Sequence, residues 1–101
     1  MGLRDNGPTM NLPDFDTFSR HARAEGFDEI IERSWAPDTV LETHTHPFSV
    51  KALVTQGQMW LTAHGQTQAL QRGSWFTLER DVPHDERYGP EGATYWVARR
   101  N

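Results

Sequence analysis

The chain has no cysteine among its 101 residues. That absence excludes disulfides, thiolate metal sites and cysteine nucleophiles together. No apolar run approaches the ~18 residues of a membrane-spanning helix, and residues 1–10 lack the apolar stretch of a signal peptide. Positive charge is scarce and scattered: nine arginines and one lysine stand against 14 carboxylates, for a net charge of −4. A field of that sign argues against nucleic acid or an anionic membrane as partner. Long helical periods between strands, the rhythm of βαβ units, are missing too. At this length the expectation is one domain in the cytoplasm, with a single core.

Aromatic residues, by contrast, are plentiful: four Trp, five Phe and two Tyr. They imply a tight core, an aromatic pocket or a buried interface. Residues 1–11 carry Gly, Pro, Asn and Asp without periodicity and are expected to form a flexible arm. A short helix is predicted over 12–26. Pro13 and Asp14 open it, Phe15, Phe18 and Ala22 share one face, and Gly26 stands where a helix C-terminus favours a left-handed residue. From there the pattern turns to β-like runs at 27–35, 39–46, 49–56, 58–63, 67–71, 74–78, 82–88 and 93–98, separated by turn residues. Seven or eight strands after a single helix predict an all-β sandwich or barrel over residues 27–101.

Within the second run stands His44-Thr45-His46. Side chains on a strand alternate, so both imidazoles point to one face, roughly 6.6 Å apart along the backbone. That spacing suits two ring nitrogens converging on one metal ion, although paired histidines in a polar stretch are as often simply solvated. His84, in Val82-Pro83-His84, is a third candidate, because antiparallel strands distant in sequence can be neighbours in space. His21, beside Arg20 and Arg23, and His64, in a turn, read as solvated.

The spacing of these residues resembles the cupins. That family carries a first motif G-x5-H-x-H-x3/4-E-x6-G and a second G-x5-P-x-G-x2-H-x3-N. Here His44 and His46 are followed by Gly57, and Gly73 by His84, in register with both templates. Where the family places a Glu ligand the chain has Val50, followed by Lys51. Glu79, Asp81 and Tyr88 replace the second motif's Pro, Gly and Asn, and the first motif lacks its opening Gly. The resemblance covers roughly residues 27–100 and implies a small double-stranded β-helix, or jelly-roll barrel. It also implies a site of His44, His46 and His84, with no carboxylate following from the templates.

Three neutral imidazoles suit a divalent Zn, Fe, Ni or Cu, make Mn less attractive, and leave positions open for water or substrate. An ion so held keeps its full charge and attracts an anionic or chelating ligand. Glu86 and Tyr88 share strand parity with His84 and are the candidates for catalytic roles. Glu86 reads as an acceptor that orients a histidine, a proton acceptor near a bound ligand, or a surface carboxylate paired with Arg87 or Arg80. Val50, Ala52 and Val54 form an apolar wall, which leaves Lys51 on the opposite, solvent-exposed face. Phe48, Trp75 or Phe76, Tyr95 and Trp96 are candidate pocket aromatics. With Met59 and Leu61 in the core, Trp60 faces outward, and an outward Trp is a signal for a homodimer interface. The resemblance admits a metal-dependent oxygenase or isomerase acting on a small organic ligand. It equally admits a non-catalytic sensing domain with weak or no metal, which, lacking a helix-turn-helix, would report through a partner. An epimerase-like pair of His84 and Tyr88 is a third reading.

Overall fold

The computed structural model describes residues 11–101. The expected arm, apart from Asn11, lies outside the described residues. Helix α1 spans Phe15–Ala24, inside the predicted 12–26. Its N-cap is Asp14, whose side chain accepts a hydrogen bond from the Thr17 amide at 2.8 Å. At the other end Gly26 adopts φ +96°, and the Phe27 amide reaches back to the Ala22 carbonyl at 3.0 Å. This six-to-one closure gives the Ala22 carbonyl a second donor beside the Glu25 amide and ends the helix. Phe18 and Ala22 are buried, whereas Phe15 is part exposed and packs edge-on against Trp96.

Six strands follow, not seven or eight: β1 (Glu29–Trp35), β2 (Val40–His44), β3 (Ser49–Ala63), β4 (Gln66–Gln71), β5 (Trp75–Leu78) and β6 (His84–Arg100). The runs expected at 49–56 and 58–63 are one continuous strand, and so are those at 82–88 and 93–98. All pairings are antiparallel. β3 and β6 form a long central ribbon. One half of it pairs with β1 and β5, the other with β2 and β4. Folding that ribbon over encloses the core between its halves and makes the double-stranded β-helix.

The bend explains why Gly57 and Gly89-Pro90-Glu91-Gly92 read as strand ends. Register shifts flank Gly57, between Val54 and Gln56 and between Gly57 and Met59. Such bulges reverse the inward parity of a strand. Val50, Ala52 and Val54 are therefore buried at even positions, and Met59 and Leu61 at odd ones. β6 switches likewise, from His84, Glu86 and Tyr88 to Ala93, Tyr95 and Val97. At the crossing, Gly57 has φ +78°, and a Cβ there would lie 2.1 Å from the Gly92 carbonyl oxygen.

A second cluster lies on the outer face under α1, where Phe18 and Ala22 meet Leu53 and Ala98. This corrects the expectations for Lys51 and Trp96 and decides between Trp75 and Phe76. Lys51 is on the face opposite the Val50 wall, but that face is covered. Its Nζ is 2.8 Å from Glu25 Oε1 and 5.5 Å from the centre of the Trp75 ring. The Lys51 hydrogen bond holds the Glu25 carboxyl below its usual value. Trp75 stacks on Phe18, and Trp96 packs against the helix and donates to Glu32 at 3.0 Å, so neither enters the barrel. Trp60 faces out, half-buried, with the Arg87 guanidinium 4.7 Å over its ring.

Replacing Gly57 with alanine is expected to lower unfolding stability by about 2 kcal/mol or more, because backbone must move to admit the methyl group. Gly65→Ala, at φ +74° with nothing near its would-be Cβ, is expected to cost only about 1 kcal/mol. Denaturant melts of the two variants against the parent check this, and equal costs would contradict it.

Candidate metal centre

β2 ends at His44, two residues short of the predicted boundary, and His44 pairs with His84 across to β6. His46 lies past the strand end, where its carbonyl accepts from the Asp81 amide at 2.8 Å. The three imidazoles converge all the same. Ring centroids are 4.8 Å apart for His44 and His46, 4.3 Å for His44 and His84, and 5.0 Å for His46 and His84. Phe48 stacks on His46 at 4.9 Å and 10°, buttressing it from behind.

Two of the rings have their tautomers set by backbone. His44 Nδ1 lies 2.8 Å from the Glu42 carbonyl and His84 Nδ1 lies 3.0 Å from that of Val82. A carbonyl only accepts, so each Nδ1 carries a proton, and in the neutral imidazole that leaves the Nε2 lone pair as the free donor to a metal. Both Nε2 atoms face one carboxylate oxygen, Glu86 Oε2, at 3.6 Å from His44 and 3.4 Å from His84. One donor atom from each of His44, His46, His84 and Glu86 can be chosen so that all lie within 4.8 Å of one another. Two donors each 2.0–2.1 Å from an ion at the tetrahedral angle stand about 3.4 Å apart, a spacing that the 3.4 and 3.6 Å distances to Glu86 Oε2 approach. His84 is 2% exposed, and its Nε2 is buried with no hydrogen-bond partner among the described residues. Such an orphan is costly unless something else takes its lone pair. The His46 imidazole is held below its usual value, chiefly by burial and then by His84, His44, Arg99 and Arg33, which favours its neutral, donating form.

Glu86 is the residue that sequence reasoning underrated. It is 6% exposed, so it is not a surface carboxylate. Arg80 instead donates to the Pro47 carbonyl, and Arg87 covers Trp60. The signal was its parity with His84 on β6, which the family template, with its Glu at position 50, does not weigh. Val50, at that position, lines the cavity as part of the apolar wall. Behind Glu86 stands Tyr88, 1% exposed, whose hydroxyl donates to Glu86 Oε1. Burial first, then Tyr95 and Glu86, pushes the Tyr88 hydroxyl far above its usual range, so it stays a donor. Trp35 stacks on the Tyr88 ring at 5.6 Å and donates through Nε1 to the Tyr95 hydroxyl at 3.0 Å. The carboxylate is thus backed by a chain of fixed polar groups.

The cluster opens into a cavity of about 130 Å³. Of the candidate aromatics, Phe76 and Tyr95 line it, together with Trp35, which the sequence reading missed. Arg33 and Arg99 also reach its wall and were likewise not anticipated.

Solved structures share this architecture. DMSP lyase DddQ from Ruegeria pomeroyi aligns with a TM-score of 0.66 at 16% identity, over 71% of this chain and 37% of that one. An RmlC-like cupin from Shewanella frigidimarina gives 0.62 at 17% identity, over 71% and 65% of the two chains. KdgF from Halomonas sp. gives 0.61 at 16% identity, over 71% and 67%. The matched region thus spans little more than a third of the lyase and about two thirds of the others. At such identities the likeness concerns the fold. A comparison with curated proteins finds no match. The model of the AraC-like ligand binding domain family matches residues 26–99, nearly the whole described barrel. With the jelly roll and the histidine cluster in place, that match makes this chain a member of the AraC-like ligand-binding-domain family, a small cupin.

Proposed function

We propose that this chain is a metal-dependent, small-molecule-binding cupin in which His44, His46, His84 and Glu86 hold one divalent transition-metal ion. The observation that carries the reading is the buried, unpartnered Nε2 of His84, aimed with that of His44 at Glu86 Oε2. When bound, the ion supplies a Lewis-acidic centre with open positions for a small oxygen-donor ligand. The chain does the rest. Backbone carbonyls of Glu42 and Val82 keep two imidazoles in the donating tautomer, and Tyr88 pins Glu86 in place as an acceptor. Val50, Phe76, Leu78 and Val97 keep the cavity apolar.

Glu86 alters the expected metal. One carboxylate among the donors reduces the net charge of the site by one and admits Mn alongside Zn, Fe, Ni and Cu. Oxygenase or isomerase chemistry is compatible with such a centre. A sensing role without turnover is favoured by two observations. The matched family is described by ligand binding, and Tyr88 is tied to Glu86 rather than free in the cavity.

Elemental analysis of protein purified without a polyhistidine tag tests the reading. A near-stoichiometric transition metal is expected, falling to background in His44→Ala and His84→Ala. A folded parent that refuses Zn, Mn, Fe, Ni and Cu at micromolar concentrations would falsify it. Tyr88→Phe is expected to weaken metal affinity about tenfold or more by freeing Glu86. It should also lower unfolding stability by about 1–3 kcal/mol, since it removes a buried hydrogen bond to a charged group. A chelator competition titration alongside a melt reads both, and a variant with parental affinity would remove the positioning role of Tyr88.

A further inference from the structure

Two arginines border the same cavity, and neither is accounted for by the metal cluster. Arg33 on β1 and Arg99 on β6 both line it. The Arg33 guanidinium lies 4.8 Å over the Trp35 ring and makes no hydrogen bond or ion pair with another described residue. Arg99 lies 4.8 Å over Phe48 and reaches Glu29 Oε1 through one terminal nitrogen at 3.2 Å. Its Nε, however, is buried without a hydrogen-bond partner among the described residues. Against these two fixed cations the cavity wall offers one carboxylate, Glu86, which faces the histidines and Tyr88. A guanidinium cannot shed its charge, and a buried donor without an acceptor is costly. The wall is therefore short of one anionic acceptor.

We propose that Arg33 and Arg99 form an anion subsite beside the histidine cluster, and that the ligand is a small organic carboxylate. This rests on the reading of the cavity as a ligand site. The planar fork of a guanidinium matches a carboxylate with two parallel hydrogen bonds, and stacking on Trp35 and Phe48 holds each fork in place. The remaining wall, with Leu41, Val50, Phe76 and Val97, is apolar, which suits an anion carrying a short hydrocarbon part over inorganic phosphate. A cavity of about 130 Å³ limits that part to a few carbons. The carboxylate satisfies the arginine donors, and the rest of the molecule is held within reach of the histidines.

Calorimetric titration of the full chain, at measured metal content, tests this with butyrate, its neutral counterpart butyramide, and inorganic phosphate. Butyrate is expected to bind at least tenfold tighter than butyramide, about 1.4 kcal/mol. Arg33→Gln and Arg99→Gln should each weaken butyrate at least tenfold and butyramide much less, with metal content unchanged. Arg33→Lys, which keeps the charge without the fork, should recover only part of the loss. Because Arg99 also pairs with Glu29, Glu29→Gln serves as the control and should leave butyrate binding intact. Equal affinity for butyrate and butyramide, no butyrate binding at tens of millimolar, or parental affinity in Arg33→Gln would each overturn the proposal. Phosphate binding tighter than butyrate through the same arginines would overturn the carboxylate assignment. Repeating the titration after chelator treatment separates the two readings. A protein that takes up no metal yet binds butyrate through Arg33 refutes the metal centre alone. One that holds metal but ignores the carboxylate refutes the subsite alone.

Discussion

The long antiparallel ladder between β3 and β6 is the constraint on which everything else in this barrel depends. Each strand runs through both halves of the fold, so each must change which side chains face inward partway along. The change happens where Gly57 passes the backbone of Gly92, a contact with no room for a Cβ. Because of that switch, His84 and Glu86 from one half of β6 and Tyr95, Val97 and Arg99 from the other all face a single cavity. Without it, one half of β6 would turn its polar set outward and the cavity would lose a wall.

Around that cavity the structure gathers an uncommon amount of polarity for so small a core. A buried carboxylate is unfavourable unless its acceptor capacity is used. Tyr88 uses one oxygen of Glu86, while the second faces two imidazole lone pairs. With neutral imidazoles, those lone pairs and the carboxylate repel one another unless a cation stands between them, and the proposed metal centre rests on that balance. The arginines complete the balance on the other side, with donors in excess of protein acceptors. The apolar residues between these groups lower the local dielectric and raise the weight of each charge.

The outer face carries different work. Helix α1 covers Leu53 and Ala98, and Phe15, Phe18, Trp75 and Trp96 close around it. This explains why only part of the aromatic richness of the chain lines the cavity, through Trp35, Phe76 and Tyr95. Two of the five rings anticipated near the site, Trp75 and Trp96, serve the contact between helix and sheet, where their area is needed because the helix is only ten residues long.

What was legible in the sequence was local. Asp14 and Gly26 bounded the helix because capping is decided within a few residues. Alternation put His44 and His46 on a common side, and the cupin-like spacing of Gly57, Gly73 and His84 pointed to the barrel. The apolar wall of Val50, Ala52 and Val54 followed from the same period of two. Beyond this, pattern alone stopped short. Gly57 and Gly92 read as the ends of strands, since a bulge within a strand and a turn between strands use the same residue types. The membership of Glu86, the support from Tyr88, Tyr95 and Trp35, and the approach of Arg33 and Arg99 were decided only by tertiary structure. Each depends on which strands become neighbours and in what register, and that register is set by backbone pairing across dozens of residues rather than by the identity of any one of them.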